Sequence, residues 1–353
     1  MGDSLVHDFQ IRSHAGSYGV TFNDELLNDA GISTLGTHFI IDKNVLATLP
    51  EYLVAEFAKK NTVVITATEE AKSYTGIEPV INSLLDMKMK RDSVLVAIGG
   101  GITQDITCFI ATTFMRGIKW VFVPTTLLAQ ADSCIGSKSS INFGQYKNLL
   151  GSFTPPNQVY ISSQFLNTLS DNDFKSGVGE IIKLMLVAGE IAKPRAINRS
   201  NVSEYILKAL TIKKTFIEED EFDQGIRQVL NYGHCIGHGI ESATNFAIPH
   251  GIAITMGMDV ANRFAYLEGL VTEGYYKQVH DTLFENYKEF CDIDIDADKV
   301  CNALTKDKKN TGSKINLVLP VNDSIKKQGF DPVDHFWMQV RNALAQVPIK
   351  IRS

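Results

Sequence analysis

From residue 37 onward the chain alternates short apolar runs with longer amphipathic ones. Thr37–Asp42, Thr62–Thr66, Ser93–Ile98, Trp120–Pro124 and Val159–Ser162 are compact and rich in β-branched and apolar residues. Runs without a polar face predict strands covered on both sides. Between them, Leu49–Lys60, Thr75–Lys90 and Asp105–Phe114 read as helices, the second through the spacing of Ile77, Val80, Ile81, Leu84 and Leu85. Strands alternating with helices predict a parallel α/β sheet. Residues 1–35 are mixed, with alternation at Val6–Ile11 and Tyr18–Phe22, and read as a hairpin or edge strand.

The pattern changes near Asn167. Ser170-Asp171-Asn172-Asp173 reads as a helix N-cap cluster. Beyond it the spacing predicts helices over Phe174–Ala188, Val202–Glu219, Gly225–Ser242, Ile252–Leu267, Glu273–Phe290 and His335–Leu344. Lys314–Pro320 alone alternates like a strand. The expected division is an α/β domain over 1–168 and a mainly α-helical domain over 169–353.

Composition narrows the classes. A chain of 353 residues with 44% apolar and 21% charged residues suits one large or two ordinary globular domains. A net charge of −6 gives no general field for nucleic acid or anionic membrane. An anionic small substrate would need a local cluster of Lys and Arg. The five cysteines lack paired CxxC spacing, which with the absence of an apolar leader or membrane-length run predicts reduced thiols in a cytoplasmic protein.

Three of the eight histidines fall between Asn231 and Gly251. His234 and His238 are four apart and share a helix face. His250 follows a Pro, at the start of a further element. Imidazoles from two helices with a carboxylate from elsewhere would form an open metal site; hydrogen-bonded histidines without a metal are the plain alternative. Glu180 and Lys183 lie one turn apart among Ile181, Ile182, Leu184 and Met185, so this pair is either a surface ion pair or a charge held in an apolar setting. Arg227, Asn231 and His234 are read on one helical face.

At the other end of the chain, Gly99-Gly100-Gly101 follows a buried strand, where main-chain N–H groups can face a pyrophosphate. Thr125 and Thr126 follow the next strand, and Asp42 and Asn44 close the first one. Lys138 and Lys147 sit in a loop of small residues shaped for anions.

These segments, taken in order, resemble the sugar phosphate cyclase superfamily and, within it, a divergent branch of the 3-dehydroquinate synthases. The likeness spans roughly residues 38–320. It is carried by Gly99–Asp105, Met115-Arg116-Gly117, Val123–Ser133, Lys138, Lys147-Asn148, Gly179–Lys183, Arg227–His238, Pro249-His250-Gly251 and Asp307-Lys308-Lys309. The resemblance implies metal ligands at Glu180, His234 and His250, normally for zinc, with cobalt as the other candidate. It implies substrate contacts at Lys138, Asn148, Lys183, Lys213, Arg227, Asn231 and Lys308 or Lys309, with His238 on the substrate phosphate. Asp132 would stand at the junction of substrate and dinucleotide, and Arg116 would reach a neighbouring subunit of a homodimer. The NAD-contacting set would be Asp42, Asn44, Glu69, Lys72, Gly99, Gly100, Gly101, Asp105, Thr125, Thr126, Asp132, Lys147, Thr168 and Leu169.

The implied enzyme is a carbon–oxygen lyase of the shikimate pathway, serving aromatic amino acid biosynthesis. It would cyclise a seven-carbon sugar phosphate with loss of phosphate, 3-deoxy-D-arabino-heptulosonate 7-phosphate giving 3-dehydroquinate. A cyclase of another sugar phosphate, such as sedoheptulose 7-phosphate, is the first alternative; a metal-dependent polyol dehydrogenase is the second. Gln104, Cys108, Ser137 and Tyr146 stand where relatives usually have glycine. Arg227, Leu230 and His238 are kept, and an arginine suits a carboxylate.

Overall fold

Seven strands form one sheet in the order β1 (Asp8–Ile11), β2 (Tyr18–Phe22), β9 (Gln158–Ile161), β6 (Lys119–Pro124), β5 (Val94–Gly99), β3 (His38–Asp42) and β4 (Asn61–Ile65). The computed structural model describes residues 8–28, 31–144, 146–306, 310 and 312–352. Its two compact units are Met1–Leu169 with Lys214–Phe222, and Ser170–Lys213 with Asp223–Ser353.

In the N-terminal unit, β1 (Asp8–Ile11) and β2 (Tyr18–Phe22) make the expected hairpin, antiparallel with Asp8 opposite Thr21; Val6 lies outside the described residues. There follow β3 (His38–Asp42), α1 (Lys43–Leu46), α2 (Glu51–Ala58), β4 (Asn61–Ile65), α3 (Tyr74–Asp86), β5 (Val94–Gly99), α4 (Gly101–Thr113) and β6 (Lys119–Pro124). The other neighbours in the sheet pair in parallel, so the sheet is mixed but mostly parallel. Phe39, Ile41, Val96 and Ile98 pack against Leu53 and Phe57 of α2, and Ile40, Leu95 and Ala97 on the opposite face are buried as well, which explains why the strand pattern shows no polar face.

The segment read as an anion loop is more ordered than its composition suggests. Residues Ala129–Ser133 wind wide, with Cys134 N–H donating to Ala129 C=O at 2.9 Å. Then β7 (Lys138–Phe143) and β8 (Tyr146–Phe153) form an antiparallel hairpin, followed by β9 (Gln158–Ile161). Its Ser, Gly and Asn residues carry little strand propensity, and β8 is largely exposed, so no alternation marks it.

The second unit holds α5 (Asp171–Val187), capped by Ser170 as expected, most of α6 (Val202–Glu219), α7 (His234–Ala243), α8 (His250–Leu267) and α9 (Glu273–Tyr287). Next come β10 (Ile295–Asp296), α10 (Ala297–Thr305), β11 (Ile315–Val321), β12 (Ser324–Phe330), α11 (Asp334–Gln346) and β13 (Ile351–Arg352). Helix α8 is buried all round and packs against α5, α7, α9, α11 and β11. A side chain on Gly179 of α5 would sit 2.3 Å from the Gly251 carbonyl, so these helices meet backbone to backbone.

One expectation fails here. Gly225–Ser242 is not one helix: a tight helical turn over Ile226–Asn231 ends at Tyr232, and α7 begins afresh at His234. Gly233 between them is left-handed at φ 73°, and a Cβ there would meet Met258 N at 2.6 Å. Arg227 and Asn231 therefore do not continue the helix face that carries His234.

Candidate active site

The starts of α7 and α8 bring the three histidines together. Ring centroids are 5.4 Å apart for His234 and His238, 5.7 Å for His234 and His250, and 5.8 Å for His238 and His250. One nitrogen from each lies within 4.8 Å of the others, a group able to hold a metal ion. Helix α5 adds Glu180, whose Oε1 lies 3.5 Å from His250 Nε2 and 4.0 Å from His234 Nε2.

The outer nitrogens of two rings are tied down. His234 Nδ1 faces the Tyr232 carbonyl at 3.2 Å, and His250 Nδ1 faces Glu241 Oε2 at 3.1 Å. With Nδ1–H donating in each case, both Nε2 atoms can offer a lone pair to a cation held between them and Glu180. Ligands about 2 Å from a tetrahedral zinc stand roughly 3.3 Å apart, so the 3.5 Å between Glu180 and His250 is already close to coordination distance. The nitrogen and oxygen donors fit a divalent cation. In its absence, burial draws the His250 ring toward neutrality, but hydrogen bonds to Glu180 and Glu241 prevail and push its pKa up to about 10. A cation bound at Nε2 would displace that proton.

Glu180 is 1% exposed and Lys183 3%, and the two are ion-paired within the helix. The surface-pair alternative is thus excluded. Arg227 and Lys213 are also buried, at 6% and 7%. The turn carrying Arg227 packs against α5, and Asn231 donates to the Gln228 carbonyl at 3.1 Å. Lys308 and Lys309, with Asp307, lie outside the described residues.

In the N-terminal unit, the residues matched to a dinucleotide gather at the carboxyl ends of the parallel strands. Asp42 ends β3 and caps α1 through the Asn44 N–H at 3.0 Å. Gly99 ends β5, Gly101 begins α4, and Thr125 N–H donates to the Gly99 carbonyl at 3.0 Å. A side chain on Gly100 would press on Thr126 at 3.1 Å. Lys72 pairs with Asp105 at 2.6 Å, and Ser140 N–H donates to Asp105 at 3.1 Å. Burial lifts the Asp105 carboxyl above its ordinary range, and Lys72 offsets only part of that.

Asn142 links further members of the set. It donates to Glu69 Oε1 at 2.9 Å and accepts from Asn148 N–H at 2.8 Å, which holds Asn148 at φ 51°. Lys147 lies 3.6 Å from Glu69. Lys138 is the exposed first residue of β7, and Asp132 belongs to the wide turn before it. Thr168 and Leu169 close the first segment of the unit. Arg116 is exposed, in a left-handed run with φ of 49°, 66° and 113° at Met115, Arg116 and Gly117.

Two residues escaped the sequence reading of this chemistry. Glu241 could have been sought three residues after His238 on the same helix face. Gln104 was noted only as a departure; its amide donates to the Ser133 carbonyl at 2.7 Å and accepts from the Ser133 hydroxyl at 2.6 Å. The added side chain thereby joins α4 to the turn holding Asp132.

The same architecture occurs in solved structures of other enzymes. The chain superposes on 2-deoxy-scyllo-inosose synthase complexed with carbaglucose-6-phosphate, NAD+ and Co2+ with a TM-score of 0.81 at 22% identity, covering 95% of this chain and 100% of that one. For 2-epi-5-epi-valiolone synthase from Streptomyces hygroscopicus with NAD+ and Zn2+ bound, the TM-score is 0.77 at 23% identity, with 94% and 96% covered. These likenesses establish the fold.

Sequence narrows it further. The family model of the 3-dehydroquinate synthase N-terminal domain matches residues 62–176, and that of the C-terminal domain matches residues 177–310. A 3-dehydroquinate synthase from Acetivibrio thermocellus is 37% identical over 294 residues, 80% of this chain and 82% of that protein. The chain belongs to the 3-dehydroquinate synthase family, and it is an enzyme of that lyase class. No helix among the described residues is long and apolar enough to cross a membrane.

Proposed function

We propose that this chain converts 3-deoxy-D-arabino-heptulosonate 7-phosphate to 3-dehydroquinate with release of phosphate, using NAD and a divalent cation, zinc or cobalt. The observation that carries the site is the facing of the His234 and His250 Nε2 atoms toward Glu180 at 4.0 and 3.5 Å, each ring anchored at Nδ1. Glu180, His234 and His250 would hold the cation, and His238 is assigned to the substrate phosphate.

When bound, NAD supplies reversible hydride transfer and the cation polarises the oxygen that alternates between hydroxyl and carbonyl. The protein's own residues bind and orient. Lys183, one turn from Glu180, presents a buried ammonium to negative charge developing on that oxygen. Arg227 offers a planar fork for the substrate carboxylate. Lys138, Asn148, Lys213, Asn231 and His238 hold the phosphate and hydroxyls, with Lys308 or Lys309. Asp42, Asn44, Glu69, Lys72, Gly99, Gly100, Gly101, Asp105, Thr125, Thr126, Lys147, Thr168 and Leu169 form the dinucleotide set, and Asp132 touches both ligands. Concentrating cations at these positions explains how a chain of net charge −6 takes a multiply anionic substrate. We assign the exposed Arg116 to a second copy of the chain in a homodimer.

The test is phosphate release from seven-carbon sugar phosphates with and without a carboxylate, each with NAD. The heptulosonate phosphate should turn over and sedoheptulose 7-phosphate should not. Arg227→Ala should lower kcat/KM for the carboxylate-bearing substrate by roughly 10- to 150-fold, the worth of a charged hydrogen-bonding group. An unchanged kcat/KM for the heptulosonate phosphate in Arg227→Ala would remove the carboxylate role.

A further inference from the structure

We infer that Glu241 is a positioning residue of the metal centre: its carboxylate sets which nitrogen of His250 faces the cation and strengthens that ligand. The inference rests on the reading of Glu180, His234 and His250 as ligands.

Glu241 is on α7, three residues after His238 and seven after His234, so one helix face carries all three. It reaches past the turn after α7 to His250, the first residue of α8, where Oε2 lies 3.1 Å from Nδ1. The Glu241 side chain is 12% exposed and the His250 ring 36%, so the carboxylate approaches the ring from its more buried side. A neutral imidazole has one N–H and one acceptor nitrogen. An anionic acceptor at Nδ1 holds the N–H there and leaves Nε2, 3.5 Å from Glu180, as the lone-pair donor. The negative charge also makes Nε2 more basic. Carboxylates behind metal-bound histidines act this way in general, and their loss weakens metal affinity about 10- to 100-fold.

A purely structural role, cross-linking the ends of α7 and α8, makes a different prediction. It would lower stability without altering the metal. The metal-depleted full-length protein is therefore titrated with Co2+ and with Zn2+ against a competing chelator, the cobalt absorption spectrum is recorded, and thermal unfolding of the metal-free form is followed in parallel. Glu241→Ala should bind both metals about 10- to 100-fold more weakly and alter the cobalt spectrum. Glu241→Gln still accepts from Nδ1–H but lacks the charge; it should keep the wild-type spectrum and lose less affinity than Glu241→Ala. If Glu241→Ala does not unfold cooperatively, Glu241→Asp replaces it, keeping the charge but falling short of Nδ1, with at least a tenfold loss expected.

Wild-type affinity and spectrum in the folded Glu241→Ala or Glu241→Asp protein would overturn the proposal. His250→Ala separates the two levels of the argument. Wild-type metal affinity there would reject His250 as a ligand, and the role of Glu241 with it. Weakened affinity in His250→Ala beside unchanged affinity in Glu241→Ala would reject Glu241 alone.

Discussion

The two units assemble their polar sites by opposite means. In the N-terminal unit the site is largely main chain: the glycine run after β5, the Thr125 N–H, and side chains such as Lys72 and Asp105 that satisfy one another. In the second unit it consists of a few charged side chains driven into helix packing, with Glu180 and Lys183 at 1% and 3% exposure. A site made of backbone spreads its function over many contacts. A site made of buried charges concentrates it in a few, so single substitutions there should cost far more activity. The N-terminal unit should instead register substitutions as lost stability.

The largest expected effect tests the second unit. Glu180→Gln keeps the shape of the side chain but removes its charge. It should lower turnover roughly a thousand-fold or more, the several kcal/mol expected when Lewis-acid stabilisation is lost, and should abolish tight zinc binding. Chelator-competition titration beside the activity assay separates the two losses. Full activity in a metal-free Glu180→Gln protein would remove the metal from the account and blur the contrast between the units.

Next comes the N-terminal unit. Lys72→Met leaves the partly buried Asp105, its side chain 20% exposed, without its cation, a change worth about 1–3 kcal/mol. Urea unfolding should show this loss near neutral pH. The loss should shrink in acid, because a buried carboxyl whose pKa is already raised takes up a proton more readily than in the unfolded chain. Unchanged stability in Lys72→Met would mean that solvent reaches Asp105.

The smallest effect is a pH dependence in the second unit, away from the histidine cluster. Asp259 on α8 is fully buried, bonded to His280 at 2.8 Å and to the Tyr287 hydroxyl at 2.5 Å. Burial raises the pKa of Asp259, and the hydrogen bond to Asp259 raises that of His280. A folded-state pKa above the unfolded one means the fold holds that proton more tightly. The His280 contribution is thus fully present below its ordinary value of 6.5 and fades as pH rises through its raised value. Melting temperature should decline over that range, and His280→Gln should flatten the decline. A wild-type slope in His280→Gln would assign the titration to another group.

The same contrast explains what could be read before the structure. Strands β3, β5 and β6 stood out because both their faces are buried, and Val202–Glu219 was delimited by apolar spacing alone. A helix spacing and a helix start raised the meeting of His234, His238 and His250 as one of two readings, and their roles came only from the family resemblance. What stayed hidden depends on contacts between distant segments. The β7–β8 hairpin is held by Asn142, which bonds Glu69 and Asn148, and its own residues lack strand character. The break at Gly233 follows from the closeness of Met258, twenty-five residues on, while Val229 and Leu230 before it still fit a helical pattern. Glu241 meets His250 only because the chain turns back after α7. Short α10 (Ala297–Thr305) was legible in principle, since Asp296 caps it and Ala297, Val300, Cys301 and Leu304 stand at i, i+3, i+4 and i+7.

The central claim is that this chain is a cyclase in which NAD is used and restored within each turnover. The direct measurement follows inorganic phosphate and NADH together as the zinc-loaded protein acts on 3-deoxy-D-arabino-heptulosonate 7-phosphate with NAD present. The account predicts one phosphate released per 3-dehydroquinate formed, with no net NADH over many turnovers. Accumulation of NADH in proportion to substrate consumed, without phosphate release, would contradict it and mark the protein as a dehydrogenase.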